Sequence, residues 1–269
     1  MKILLIGDVF ASPGRKTVKD ILPSLKVELE ADLVIANAEN LHHGKGVSSS
    51  KITELQKAGV DFFTSGNHIW KVNEIFEYMN KETYPLIRPA NYPKSVPGRG
   101  HAIIETKKGE KVMVINLIGR VFMHTHTDCP FRTAEAIIEM EAEKGWKLGD
   151  KLAAIVVDMH AEVGSEKMAL GHFLDGKVSA VVGTHTHIPT ADEQILPGGT
   201  AYQTDLGMTG VVNSIIGVNK TEIIENFLTQ MPVRHQIAEG PTVFNALLIE
   251  TDPITGLTIN IKRIQKYQN

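Results

Sequence analysis

The feature of this sequence that most restricts its fold is a repeated alternation of short apolar runs with helical segments. The runs consist mainly of aliphatic and β-branched residues, and each leads into a polar turn. Most are continuously apolar, as expected for strands that are covered on both faces. The alternation therefore predicts an α/β fold with central strands. The runs are KILLIG (2–7), DLVIAN (32–37), DFFTSG (61–66), KLAAIVVD (151–158) and KVSAVVG (177–183).

Helix signals and two hairpin patterns complete the predicted architecture. Ser12 and Pro13 are typical of a helix start, and Gly59 is typical of a helix stop. The segments 101–119 and 242–264 each read as strand, turn and strand. A chain that combines βα units with hairpins favours two mixed sheets packed together and covered by helices over one parallel sheet.

Length and composition limit the kind of protein. A chain of 269 residues without a linker or repeat is expected to form one domain, 1–269. A formal net charge of -3 gives no strong general field for nucleic acid. The single cysteine, Cys129, cannot form an internal disulfide, and no apolar stretch reaches the length of a membrane span. We therefore expect a cytoplasmic protein that does not engage a membrane.

Polar side chains that can bind metal follow every one of the apolar runs. In open α/β sheets, ligands bind outside the carboxyl ends of the strands, so residues distant in sequence can meet at one rim. Taken singly, each residue has a simpler explanation as a helix cap, a turn residue or an ion-pair partner. Their joint placement favours a metal site. The candidates are Asp8, Glu39, Asn40, Asn67, His68, His160, His185 and His187.

The types of side chain in this set are suited to a pair of metal ions. Two divalent cations about 3.5 to 4 Å apart need a shared anionic oxygen to offset their repulsion, and Glu39 is our candidate for that bridge. His185 and His187 lie at a strand end, where the chain turns, so they could reach different ions. Mixed oxygen and imidazole ligands favour manganese, iron or zinc over magnesium or calcium.

A second histidine pair shows that spacing alone does not identify ligands. His124 and His126 are one residue apart, as His185 and His187 are. They lie several residues beyond a predicted strand, in a polar stretch with Asp128. We predict that they are loop residues, with a position near the substrate as the alternative.

Six motifs in order resemble the YmdB-like branch of the calcineurin-type metallophosphoesterases. They are GDVFASPGR, NAEN, SGNH, DMHAEVGSEK, GTHTHIPTAD and YQTDLGMTG, and they cover residue 7 to about residue 210. The resemblance implies a four-layer αββα sandwich and a site with two metal ions. It also implies phosphodiesterase activity, notably toward 2′,3′-cyclic nucleotides, and suggests a homo-oligomer.

The same resemblance implies a role for each candidate. It implies that water activated between the metals is the nucleophile and that His68 donates a proton to the leaving group. Iron or manganese is expected, with zinc as the alternative. The implied ligands are Asp8, Glu39, Asn40 and His187 for one metal, and Glu39, Asn67, His160 and His185 for the other.

Two positions differ from most metallophosphoesterases. The usual Asp-x-His start is replaced by Asp8-Val9-Phe10, so that Phe10 stands at the histidine position. Asn40 is our candidate replacement for that ligand. Glu39 stands where the bridging aspartate is usual, and its extra methylene changes its reach. Both differences match the YmdB-like branch.

The sequence thus predicts a hydrolase of small phosphodiesters or nucleotides. A phosphomonoesterase or nuclease with the same metals is one alternative, and a nucleotide-binding regulator with little turnover is another. A pure binding protein would have no need of His68 as an acid. Three further residues keep open roles. His43 is a candidate substrate contact because the family often has a histidine there, although His42 and His43 are equally well explained as solvated loop residues. Lys45 could meet a phosphate, but a flexible surface lysine is the preferred interpretation.

Overall fold

Two six-stranded sheets form the centre of the fold in a computed structural model that describes residues 1–269. Helices lie outside both sheets, and a 3-10 helix spans Ile69–Lys71. The strands are β1 (Lys2–Val9), β2 (Leu33–Asn37), β3 (Phe62–Thr64), β4 (His101–Glu105), β5 (Lys111–Ile118), β6 (Ala154–His160), β7 (Ala180–Thr184), β8 (Gln194–Ile195), β9 (Ala201–Gln203), β10 (Met208–Val211), β11 (Thr242–Thr251) and β12 (Thr258–Gln268). The helices are α1 (Ala11–Glu28), α2 (Ser49–Lys57), α3 (Ile75–Met79), α4 (Pro130–Glu143), α5 (Gly164–Phe173) and α6 (Lys220–Thr229).

Both sheets are mixed, as the combination of βα units and hairpins predicted. The first sheet has the order β12-β11-β10-β1-β2-β3, in which β1, β2 and β3 are parallel and β11 and β12 are antiparallel. The second sheet has the order β4-β5-β6-β7-β9-β8, with four parallel central strands and antiparallel strands at both edges. The two predicted hairpins, β4–β5 and β11–β12, are confirmed.

Alternation along the strands divides the apolar side chains between separate cores. In β1, Ile3 and Leu5 pack between the two sheets, whereas Leu4 and Ile6 pack against the helices on the outer face. Burying one such side chain contributes about 1.5 to 3 kcal/mol relative to exposure. The second sheet likewise packs its outer face against Ala134 of α4 and Leu170 of α5. The result is the four-layer αββα sandwich that the family resemblance implied.

The predicted start of the first helix is wrong by two residues. Helix α1 begins at Ala11 with Phe10 as its N-cap, and no side chain caps it, so Ser12 lies within the first turn. Backbone hydrogen bonds from Phe10 to Thr209 and from Ala11 to Asn40 decide this position. Gly59 does follow the end of α2 and has a φ of +110°, which favours glycine.

Two further observations concern the helices. None of the residues of α6 is buried. No helix in the structure combines the length and the apolar character that crossing a membrane would require.

Candidate metal centre

The carboxyl ends of parallel strands from both sheets meet at one rim. Asn37, the last residue of β2, donates a hydrogen bond to the Asp158 carboxylate of β6 at 3.1 Å. The hydroxyls of Thr64 and Thr184, at the ends of β3 and β7, also donate to Asp158. Burial raises the pKa of Asp158, although the Thr64 hydroxyl opposes the rise. This buried carboxylate therefore ties the two sheets together beneath the rim.

The tightest group of candidate ligands contains Glu39, His160 and His185. His160 Nε2 lies 3.1 Å from Glu39 Oε2, 3.1 Å from His185 Nδ1 and 3.0 Å from Asn67 Oδ1. Ligand atoms of Glu39, His160 and His185 all lie within 4.8 Å of one another. Glu39 and His160 are fully buried. Four side chains from different strand ends thus converge closely enough to bind one cation.

Asp8, Asn40 and His187 form the adjoining group. His187 Nε2 lies 3.1 Å from Asn40 Nδ2 and 4.0 Å from Asp8 Oδ1. Asn40 Nδ2 is also 3.3 Å from Glu39 Oε1, so the two oxygens of Glu39 face the two groups. The amide oxygen of Asn40 faces His68 instead. Since a cation binds an amide through oxygen, ligation by Asn40 requires this amide to turn about its last side-chain bond.

Outer contacts orient the three imidazole rings. In each ring, one nitrogen points away from the cluster toward an acceptor and must carry the proton of the neutral ring. The other nitrogen then presents its lone pair to the cluster, which is the orientation of metal-binding histidines. The hydrogen-bond acceptors are Thr184 Oγ1 for His160 Nδ1 (2.9 Å) and Ile216 O for His187 Nδ1 (3.1 Å), while the Glu162 carboxylate lies 3.3 Å from His185 Nε2 as a charged neighbour.

The buried charges at the rim strongly perturb one another. Burial would lower the pKa of His160, but the Glu39 carboxylate outweighs burial and raises this pKa to about 9. Burial opposes ionisation of Glu39, yet the charge of His160 holds the Glu39 pKa well below its usual range. Burial raises the pKa of Asp8 to about 6, whereas burial and the charge of His160 lower the pKa of His185 to about 3. This cluster needs a positive charge, which either a proton or a metal cation can supply.

The turn that carries His185 and His187 has a strained backbone. Their φ angles are +101° and +67°, in the left-handed region that costs about 1 to 3 kcal/mol for such residues. Asp205 holds the residue between them, because its carboxylate accepts from Thr186 N at 3.1 Å and from Thr186 Oγ1 at 2.8 Å. Lys167 Nζ donates to the same carboxylate at 2.7 Å, and both members of this pair are 1% exposed. The buried ion pair therefore fixes the histidine turn.

His68 lies beside the cluster with one ring nitrogen engaged. Its Nδ1 is 3.1 Å from Asn40 Oδ1 and 3.3 Å from Glu39 Oε1, while its backbone N–H donates to Glu39. Its Nε2 makes no hydrogen bond to the protein, and the side chain is 23% exposed. Of the two nitrogens, Nε2 is the one free to exchange a proton with a ligand.

Gly66 makes room for the cluster. A Cβ atom at this position would lie 2.2 Å from Glu39 Oε2 and 2.3 Å from His160 Nε2. The backbone thus approaches the ligand atoms so closely that any side chain would displace them.

The remaining predicted residues lie outside this cluster. His43 is exposed, has a φ of +50° and packs edge-on against His42, and it makes no hydrogen bond to a candidate ligand. Lys45 is also exposed. His124 and His126 are exposed in the loop between β5 and α4, where the sequence placed them.

Sequence reasoning did not single out the residues that support the cluster. Asp158, Lys167 and Asp205 are buried charged groups, and Glu162 is the outer partner of His185. A signal was available for Asp158, because an acid within a continuously apolar strand, two residues before His160, is unusual. No comparable signal marks Lys167, which lies in the first turn of α5 directly after Ser165 and Glu166.

Comparison with known sequences places this geometry in a family. A family model described as YmdB-like protein matches residues 4–264. A Bacillus subtilis (strain 168) protein named 2′,3′-cyclic-nucleotide 2′-phosphodiesterase is 44% identical over 264 residues, which is 98% of this chain and 96% of that protein. A Mycoplasma pneumoniae protein named putative phosphatase/phosphodiesterase is 35% identical over 274 residues, covering 98% and 92% of the two chains.

Solved structures show the same fold. A crystal structure of a hypothetical protein from Thermus thermophilus matches with a TM-score of 0.90 and 40% identity over 100% of both chains. A crystal structure of a novel phosphatase from Mycoplasma pneumoniae matches with a TM-score of 0.90 and 35% identity, covering 99% of this chain and 93% of that one. The strand-end cluster, the αββα layers and the near full-length matches agree, and the chain belongs to the YmdB-like family.

Proposed function

We propose that this protein is a metal-dependent phosphodiesterase whose substrates are 2′,3′-cyclic nucleotides or related small diesters. The observation that carries the proposal is the convergence of carboxylate, amide and imidazole groups at one rim, with the imidazole lone pairs turned toward one another. The name of the Bacillus subtilis relative supports the substrate class.

The residues present fit two divalent cations. Oriented imidazoles, buried carboxylates and the space left by Gly66 together form a donor set of suitable chemistry. Glu39 would bridge the ions, because its two oxygens face the two groups of ligands. Iron or manganese suits this mixed set, with zinc as the alternative. One ion would take Asp8, Glu39, Asn40 and His187, and the other Glu39, Asn67, His160 and His185.

The protein side of the mechanism follows from these contacts. Bound ions would polarise the phosphoryl group and make water nucleophilic near neutral pH. Thr184 and Asp158 keep the His160 ring in place, and the Asp205 carboxylate keeps the turn with the other two imidazoles in place. His68, held at Nδ1, would protonate the departing ribose oxygen from Nε2.

Hydrolysis of matched esters by the purified protein tests this proposal. We expect turnover of 2′,3′-cyclic AMP that is lost with a chelator and restored by Mn²⁺ or Fe²⁺, together with two metals per chain by elemental analysis. The relatives described as phosphatases favour a phosphomonoesterase as the second candidate. A higher kcat/KM for adenosine 3′-phosphate than for the cyclic diester would establish that candidate instead. Metal binding without turnover of either ester would support a nucleotide-binding regulator.

A substitution of His68 separates proton donation from metal binding. His68→Ala should keep the metals and lower the rate on a cyclic nucleotide by roughly 10²- to 10⁴-fold, the usual contribution of a positioned acid. The rate of hydrolysis of a p-nitrophenyl ester should fall much less, because p-nitrophenolate leaves without a proton. Asn67→Ala is the matched variant, and it should weaken metal binding. If His68→Ala lowers the rates on both esters by the same factor, His68 positions the substrate and does not donate the proton.

A further inference from the structure

The loop that follows β5, residues 119–127, begins next to the metal centre. Ile118 pairs with His160 in the sheet, and Gly119 N donates to His160 O at 2.9 Å. A Cβ atom at Gly119 would lie 2.5 Å from the Cβ atom of Ala161, the residue after His160. We call residues 119–127 the β5 loop, and its first residues lie against the strand end that supplies a candidate ligand.

Hydrogen bonds fix both ends of the β5 loop. Asn91 Oδ1 accepts from Ile118 N at 2.9 Å, and Asn91 Nδ2 donates to Ile118 O at 2.8 Å and to Asp128 O at 3.0 Å. The Glu166 carboxylate accepts from the backbone N–H of Arg120 at 3.0 Å. These contacts hold both ends of the loop against the sheet.

The later part of the β5 loop reaches the side of the rim that carries His68. The Thr125 hydroxyl lies beside the Tyr92 hydroxyl. The Tyr92 ring packs edge-on against Trp70, with ring centres 5.3 Å apart, and Trp70 follows His68 by two residues. The loop thus extends along the rim from the neighbourhood of His160 to that of His68.

The tip of the loop presents an aromatic ring at an energetic cost. Phe122 is 83% exposed and has a φ of +60°. A bulky residue in the left-handed region is a genuine outlier, and strain of this kind gathers at ligand sites. Phe122 follows Gly119 closely in the chain, so its Cα atom lies within about 11 Å of that strand end. A nucleotide whose phosphate is at the metal centre is long enough to bring its base near this ring.

Two buried hydroxyls beneath the loop lack partners. Tyr92 OH and Thr125 Oγ1 are buried, and neither completes a hydrogen bond of normal geometry. Unsatisfied buried hydroxyls are costly in a protein, and each one calls for an explanation such as strain or a functional role. This second observation is independent of the exposed ring: Thr125 lies in the β5 loop, and Tyr92 lies beside it.

We propose that the β5 loop is the nucleobase subsite of this enzyme, with the Phe122 ring as the surface on which the base stacks. The inference rests on the proposed function and extends it, because it assigns a preference for diesters that carry a base.

The test compares two substrates that differ only in the base. They are 2′,3′-cyclic AMP and the 2′,3′-cyclic phosphate of methyl β-ribofuranoside. Stacking of a base on an aromatic side chain corresponds to roughly 5- to 150-fold in affinity by alanine substitution. The measured quantity is the kcat/KM for the nucleotide divided by the kcat/KM for the methyl riboside. Phe122→Ala should therefore lower this ratio by that factor, through a higher KM for the nucleotide. Phe122→Trp should restore the ratio. Phe227→Ala is the control, because Phe227 is a 71% exposed aromatic residue on α6. This substitution should leave the ratio unchanged.

A binding measurement checks the same contact without turnover. Stacked adenine quenches indole fluorescence, so adenosine 3′-phosphate should quench the F122W protein saturably and more than it quenches the wild type. An unchanged substrate ratio in Phe122→Ala, or no additional quenching in F122W, would overturn the base subsite while the wild type still hydrolyses both diesters. Failure of the wild type to hydrolyse either diester would instead refute the proposed function.

Discussion

The tripeptide His-Thr-His occurs twice in this chain, and its two copies have different structures. Residues 185–187 follow the buried strand β7, and both histidines have positive φ angles. Residues 124–126 lie in the β5 loop, with both histidines exposed and neither at a positive φ. The comparison teaches that the conformation of a short motif depends on the groups that hold it.

Those groups come from distant parts of the sequence. At the first copy, the Asp205 carboxylate accepts two hydrogen bonds from Thr186, and Asp8 accepts from His185 N at 3.1 Å. At the second copy, the equivalent hydroxyl of Thr125 makes no hydrogen bond. A buried carboxylate with a buried lysine can impose a strained turn, whereas the histidines of the second copy lack such a partner and have no positive φ angles.

The largest expected difference comes from removing the histidines themselves. The double change His185→Ala with His187→Ala should remove ligands from both proposed ions, and a loss of several kcal/mol of transition-state stabilisation corresponds to about 10³-fold or more in rate. The double change His124→Ala with His126→Ala should leave the metal content intact. Elemental analysis of both proteins measures this directly. Equal metal loss in the two would show that the copies do not differ in function.

An intermediate effect is expected from the ion pair under the histidine turn. Asp205→Asn alone leaves the buried Lys167 charge unpaired, which costs about 3 to 5 kcal/mol of stability. Adding Lys167→Met removes that charge, so the double variant should fold. It should bind metal roughly 10- to 100-fold more weakly, as expected when groups that hold the metal ligands in place are lost. Titration with Mn²⁺ measures the affinity.

A control pair distinguishes positioning from general destabilisation. Lys26 and Asp61 also form an ion pair at 2.7 Å, but on the helix side of the first sheet. Lys26→Met with Asp61→Asn should lower the melting temperature without weakening metal binding. Unchanged Mn²⁺ affinity in the Lys167 and Asp205 variant would show that the turn holds its shape without this pair.

The smallest effect is expected from single hydroxyls. Thr186→Val removes one hydrogen bond to Asp205, worth about 1 kcal/mol, so metal affinity should fall about fivefold, and Thr186→Ser should restore it. Thr125→Val removes a hydroxyl that has no partner and should leave stability unchanged or slightly higher. Metal titration and thermal unfolding of the three proteins measure these differences. A drop in stability for Thr125→Val would reveal a bond that this hydroxyl makes.

The fold was readable from the sequence wherever local pattern and tertiary environment agree. Continuous apolar runs such as residues 154–157 can be buried only as central strands, and the two hairpin segments carried their own turns. The start of α1 was missed because backbone bonds to Thr209 and Asn40, distant in sequence, outweigh the local capping preference of Ser12. Short strands such as β8 have two residues and no periodic signal.

By itself, the sequence determined which residues stand at the ends of buried strands, because burial of an apolar run fixes where its polar end emerges. It therefore supplied the candidate ligands and their shared rim. Only the tertiary structure decided how those side chains are held: which imidazole nitrogen faces the cluster, that Asp158 and Asp205 lie beneath it, and that one His-Thr-His is strained while the other is exposed. These outcomes depend on hydrogen-bond partners distant along the chain, and no local pattern encodes such partners.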